Sequence, residues 1–171
     1  MKASQAAIAR LGLAVAPCAA AAYGATPDPC ALPTSAQAGA ALGGVTVGPG
    51  KHLNAYLCAW GEAGKPMASG KAVRLHVLGP VGSMTPAQMF HNIKTPVPGF
   101  FPPAHAIVKT PVRGVGDDAV YERVGYGTPE LSVKKGGNGF QISIHGLAGN
   151  QTSLIEAREK ELALAVMAKL P

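Results

Sequence analysis

The stretch LSVKKGGNGFQISIHGL, residues 131–147, decides the fold. On either side of Gly136 to Gly139, apolar residues alternate with polar ones: Leu131 and Val133 before, Phe140, Ile142 and Ile144 after. A period of two belongs to a strand with one buried face, and glycine and asparagine supply left-handed turn conformations. The stretch therefore predicts a β-hairpin.

Working outward, Lys51 to Gly61 and Gly70 to Gly79 read as strands, the second setting Val73, Leu75 and Val77 against Arg74 and His76. Two more are expected around 105–109 and 118–125, joined by a turn at Gly114 to Asp118. A short helix capped by Thr34 or Ser35 should run through Leu42 and stop at Gly43 and Gly44. Thr85 and Pro86 start another, with Met89, Phe90 and Ile93 as its apolar stripe. A last helix is expected from Thr152 or Ser153 to about Lys169, with Ser153 and Glu156 forming a capping box. Strands and helices do not alternate regularly. The expected fold is therefore α+β: one domain, an antiparallel sheet with helices packed mainly on one face.

A length of 171 residues, 47% hydrophobic, suits one core, and 22 glycines with 15 prolines imply many turns. Residues 1–24 carry Lys2 and Arg10, then an uncharged apolar run from Leu11 to Ala22, then small residues. This is the pattern of a secretory signal peptide cleaved near Gly24 and Ala25, leaving 25–171 as a single exported domain, periplasmic or secreted. The run is too short to span a membrane, which takes about 20 apolar residues, so no transmembrane span is expected in the mature chain. Cys18 is expected to leave with the leader; Pro17 directly before it fits a lipoprotein processing site poorly.

Cys30 and Cys58 then remain, an even pair in an oxidising compartment, and that predicts a disulfide. A catalytic thiol needs a neighbouring base and a zinc site needs more ligands at regular spacing; neither cysteine belongs to a Cys-x-x-Cys pair. On a strand, Trp60 should share a face with Cys58.

Four segments, DPCALPTSAQAGAALGG (28–44), LCAW (57–60), VRGVGDDAVY (112–121) and EKELALAVMAKL (159–170), resemble a family of small exported bacterial proteins and lipoproteins of unknown function. That family is built around Pro-Cys-x-Leu, Cys-x-Trp and a Gly-x-Gly-Asp-x-Ala turn. The resemblance implies that Cys30 pairs with Cys58 in a compact α+β module, and it lends no activity.

The remaining motifs favour plain structural roles. Gly114-Val115-Gly116 lacks the third glycine and following helix of a dinucleotide site. Ser132 and Lys135 match Ser-x-x-Lys, yet on a strand they point to opposite sides. Asp117 and Asp118 are expected to shape their turn. The net charge of +6 is spread without a basic run, so no nucleic-acid partner is expected, and no cofactor or metal is implied.

Candidate ligand or partner contacts are Phe100 and Phe101 in the proline-broken loop 95–105, and Arg74, His76 and His145 on the polar phase of predicted strands. His76 and His145 meet only if their strands are neighbours. The expected role is a non-enzymatic accessory or binding module of the cell envelope, with an unknown envelope protein or small ligand as partner. The alternative is a small envelope hydrolase or metal-dependent enzyme using His76 or His145.

Overall fold

The computed structural model describes residues 26–95, 107–125, 127–147 and 151–170. A single 3-10 turn at Pro29–Ala31 leads into α1 (Ser35–Ala41), β1 (Lys51–Asn54), β2 (Leu57–Gly61), β3 (Ala72–Val77) and α2 (Pro86–Lys94). Then follow β4 (Ile107–Pro111), β5 (Asp118–Val124), β6 (Glu130–Lys135), β7 (Asn138–His145) and α3 (Thr152–Met167). The strands form one seven-stranded sheet in the order β1-β2-β3-β7-β6-β5-β4, antiparallel throughout.

The β6–β7 hairpin forms where the alternation places it, with Lys135 opposite Asn138 and Gly136 at φ 57° in the turn. β7 then pairs with β3, so Phe140, Ile142 and Ile144 stand opposite Val77, Leu75 and Val73. Leu131 and Val133 of β6, Ala119 and Tyr121 of β5, and Cys58 and Trp60 of β2 continue this face. α3 covers it with Ile155, Leu162, Ala163 and Val166, and α1 with Ala38, Ala41 and Leu42. Burying each large aliphatic side chain here contributes about 1.5–3 kcal/mol. Tyr121 Oη donates to the carbonyl of Glu156, and Lys135 Nζ to that of Met167 at 2.8 Å, which fixes α3 across β5 and β6. Ser132 lies on the other face, so Ser132 and Lys135 do point apart.

α2 departs from the expected arrangement, because it packs on the opposite face. Its Phe90 sits with Leu78 and Val120 in a separate small core, and Lys94 Nζ reaches Asp118 Oδ2 at 2.6 Å. Val120 alternates with Ala119 and Tyr121, so it carries apolar surface to the far side of β5, where one short helix suffices to cover it. The cap is as expected: Thr85 and Gln88 form a reciprocal capping box, as do Thr34 and Gln37 at α1.

Three further expectations change. Lys51 to Gly61 is not one strand but the hairpin β1–β2, because Asn54 Oδ1 accepts the amide of Tyr56 at 2.8 Å and turns the chain. α3 has Gln151 at its N-cap with no side-chain bond. Ser153 therefore lies inside the first turn, where it cannot form the cap expected with Glu156. The side chains of Asp117 and Asp118, expected to bond within their own turn, instead reach other elements: Asp117 Oδ2 accepts the amide of Gly136 at 2.6 Å in the β6–β7 turn, and Asp118 Oδ2 takes Lys94 of α2.

Cys30 and Cys58 are bridged, with Cα atoms 5.2 Å apart. Gly50 passes so close that a Cβ there would lie 2.8 Å from both Cys58 Sγ and the Trp60 indole. Trp60 thus shares the face of Cys58, and only glycine fits beside them. Gly50→Ala is expected to cost about 1–3 kcal/mol through overpacking, read as a drop in urea midpoint at unchanged slope. An unchanged midpoint would show that the strand crossing can relax.

Candidate functional site

α2 covers only part of the second sheet face. Beside it, β3, β7 and the start of β6 leave a polar area uncovered by any described helix. Alternation sends Arg74 and His76 to this side of β3, and Gln141, Ser143 and His145 to this side of β7. The register sets Arg74 opposite Ser143, His76 opposite Gln141, and Glu130 opposite Ser143. With Leu57, Thr128 and Pro129 these residues line a shallow cleft of about 270 Å³. The strand adjacency that the histidines required is therefore present, and it unites Arg74, His76 and His145. Cys30 and Cys58 lie at the bridge on the other face. Phe100, Phe101 and Cys18, like the proposed leader, lie outside the described residues.

A chain of hydrogen bonds orders the floor of the cleft. Gln141 Nε2 donates to Ser132 Oγ at 3.1 Å, which leaves its Oε1 as acceptor for His76 Nδ1 at 3.2 Å. With Oε1 accepting, His76 Nδ1 is the donor of this bond. Ser143 Oγ contacts His145 Nε2 at 3.0 Å.

The electrostatics are uneven. Arg74 is exposed and belongs to no ion pair among the described residues. Burial lowers the His145 pKa and Arg74 lowers it further, so its imidazole is neutral at pH 7. Glu130 is pushed upward by burial and by Glu122, against the pull of Arg74. The cleft thus sets a fixed cation beside a half-buried carboxyl group, with hydrogen-bonding side chains between them.

Sequence reasoning overlooked Glu130, Thr128 and Pro129, which enter through the approach to β6 and carry no periodic signal. Arg74 can anchor a carboxylate or another small anion through two parallel N–H bonds. Leu57 and Pro129 offer apolar walls. Elsewhere, donor atoms of Asp28, Cys30 and His52 lie within 4.8 Å of one another beside the disulfide. Among the described residues, no helix is long and apolar enough to cross a membrane.

Fold and cleft together define a disulfide-bridged α+β domain with an open polar sheet face. Comparison with protein-family models, curated proteins and solved structures finds no match for the chain.

Proposed function

We propose that this protein is an exported binding module whose open sheet face takes a small organic anion that also carries a hydrogen-bond donor. The observation that carries this reading is Arg74, which has no ion-pair partner among the described residues, beside Glu130 over an ordered polar floor. The anion would meet Arg74, and its donor would meet the carboxyl of Glu130. A cleft of about 270 Å³ suits a metabolite-sized ligand, just below the usual range of about 300–1,000 Å³. Export to the periplasm or beyond is supported by the charged-then-apolar leader pattern and by the bridged cysteine pair.

A thermal-shift screen of small hydroxy, amino and dicarboxylic acids tests the reading. Ligands are expected to raise the melting temperature of the wild-type protein, and Arg74→Ala is expected to weaken the best of them by about 10–100-fold while leaving the unliganded melting temperature unchanged. Equal binding by Arg74→Ala would overturn the assignment.

The contact between Ser143 Oγ and the neutral His145 supports a second reading, a small hydrolase. No acid orients His145 Nδ1 among the described residues, and Ser143 is buried, so this arrangement lacks the third member of a triad. Labelling of Ser143 by a fluorophosphonate, lost in Ser143→Ala, would favour hydrolysis over binding.

A further inference from the structure

The group beside the disulfide holds more donors than a staple needs. Asp28 caps the turn that carries Cys30, and its Oδ1 accepts the Cys30 amide at 2.8 Å. His52 is the cross-strand partner of Cys58 in the β1–β2 pair, so its imidazole stands on the face of the bridge. Donor atoms of Asp28, Cys30 and His52 thus lie within 4.8 Å of one another, and the bridge sets Cys58 Sγ against that of Cys30, although the sequence scatters these residues.

His52 Nε2 and Asp28 Oδ1 stand 3.4 Å apart. Two nitrogen or oxygen ligands on a tetrahedral zinc ion, with bonds of about 2.0–2.1 Å, are separated by about 3.3–3.4 Å. That edge of the tetrahedron is already formed. Both side chains are about half exposed, at 52% and 54%, which leaves an ion a route from solvent. The Cys30 amide orients the Asp28 carboxylate, as outer hydrogen bonds orient ligands in metal sites.

While the sulfurs are bonded to each other, only one oxygen and one nitrogen are available, too few for a closed site. Reduction changes the donor set. The disulfide takes two electrons and two protons from a dithiol, which leaves as its own disulfide, and two thiols result. Zinc then displaces both thiol protons to solvent and binds the thiolates. We propose that Asp28, Cys30, His52 and Cys58 hold one zinc ion in the reduced protein, so that metal and disulfide are alternative occupants of the same residues. Two thiolates and an imidazole select zinc over calcium or magnesium.

The test is zinc titration of the full chain against a chromophoric chelator, oxygen-free, before and after reduction by a phosphine, with far-ultraviolet circular dichroism in parallel. The reduced protein is expected to take up one zinc and the oxidised protein none. His52→Ala and Asp28→Asn are each expected to weaken uptake by at least about tenfold. Absence of uptake would overturn the proposal, as would uptake that His52→Ala leaves unchanged, since thiols alone would then suffice. If reduction unfolds the chain, zinc must restore the native spectrum; a chain that stays unfolded with zinc also overturns it.

Discussion

Replacing Cys30 and Cys58 together with alanine is expected to lower the unfolding free energy by about 3–4 kcal/mol, the chain-entropy value for the loop that this bridge, 28 residues apart in sequence, closes. The bridge ties the 3-10 turn at Pro29–Ala31 to β2, and no backbone ladder joins those two segments. Its loss should free the chain ahead of α1 and loosen the packing of Trp60 and Gly50 against Cys58. For a domain of this size the loss corresponds to a drop in melting temperature of roughly 10 °C. Urea unfolding of the double variant and of the wild-type protein measures it. A loss below about 1 kcal/mol would mean that core burial alone positions the turn.

Glu159 gives the second large effect. It is fully buried on α3, and its Oε1 accepts the amide of Ile144 at 3.1 Å. The β6 ladder ends with Glu130 opposite Ser143, so Ile144 lies one residue beyond the last partner that β6 offers. The carboxyl of Glu159 takes the place of the missing strand. Burial pushes its pKa from the ordinary 4.5 up to about 9, so it is protonated in the folded protein at neutral pH.

The sign of the pH effect follows. Between the two values the folded chain binds a proton that the unfolded chain has released. This contribution is therefore full below pH 4.5 and is lost as pH rises towards 9, by up to about 1.4 kcal/mol per unit. Glu159→Gln keeps the shape and the acceptor without a titrating proton. It is expected to flatten the fall in stability between pH 5 and pH 9, whereas Glu159→Ala should cost about 2–4 kcal/mol at pH 5 by stranding the Ile144 amide and leaving a cavity. Chemical unfolding at a series of pH values checks both. Parallel pH profiles for the wild-type protein and Glu159→Gln would contradict the assignment.

The strands and helices were legible wherever a local period governed them. Val73, Leu75 and Val77, and the run from Phe140 to Ile144, carry their burial in their spacing. The break at Asn54 was not, because one side-chain bond to the amide of Tyr56 turns a run whose composition continues as a strand. The side taken by α2 was also hidden: it depends on which strand carries Val120 beside Ser132, a long-range property. Glu159 did carry a signal. Ile155, Glu159, Leu162 and Val166 fall on one helical stripe, which sets the carboxyl among the buried positions.

The cleft shows the same division. Arg74, His76 and His145 were visible as the wet phase of strands, but their meeting required β3 to pair with β7, and that contact joins residues 65 apart at His76 and Gln141. Glu130 was invisible because one residue at a strand start has no phase to read. The group of Asp28, His52 and the bridged cysteines was hidden for a similar reason, since by composition the β1–β2 hairpin that brings His52 to Cys58 reads as one strand.

Binding of a small organic anion by the open half of the second sheet face is the proposal to test first. Amide NMR of the uniformly labelled protein, titrated with the best ligand of the acid screen, tests it most directly. Shift changes are expected to centre on Arg74, His76, Glu130, Gln141, Ser143 and His145 and to be absent in Arg74→Ala. Changes centred instead on α1, α3 or the β1 edge, with this face silent, would contradict it.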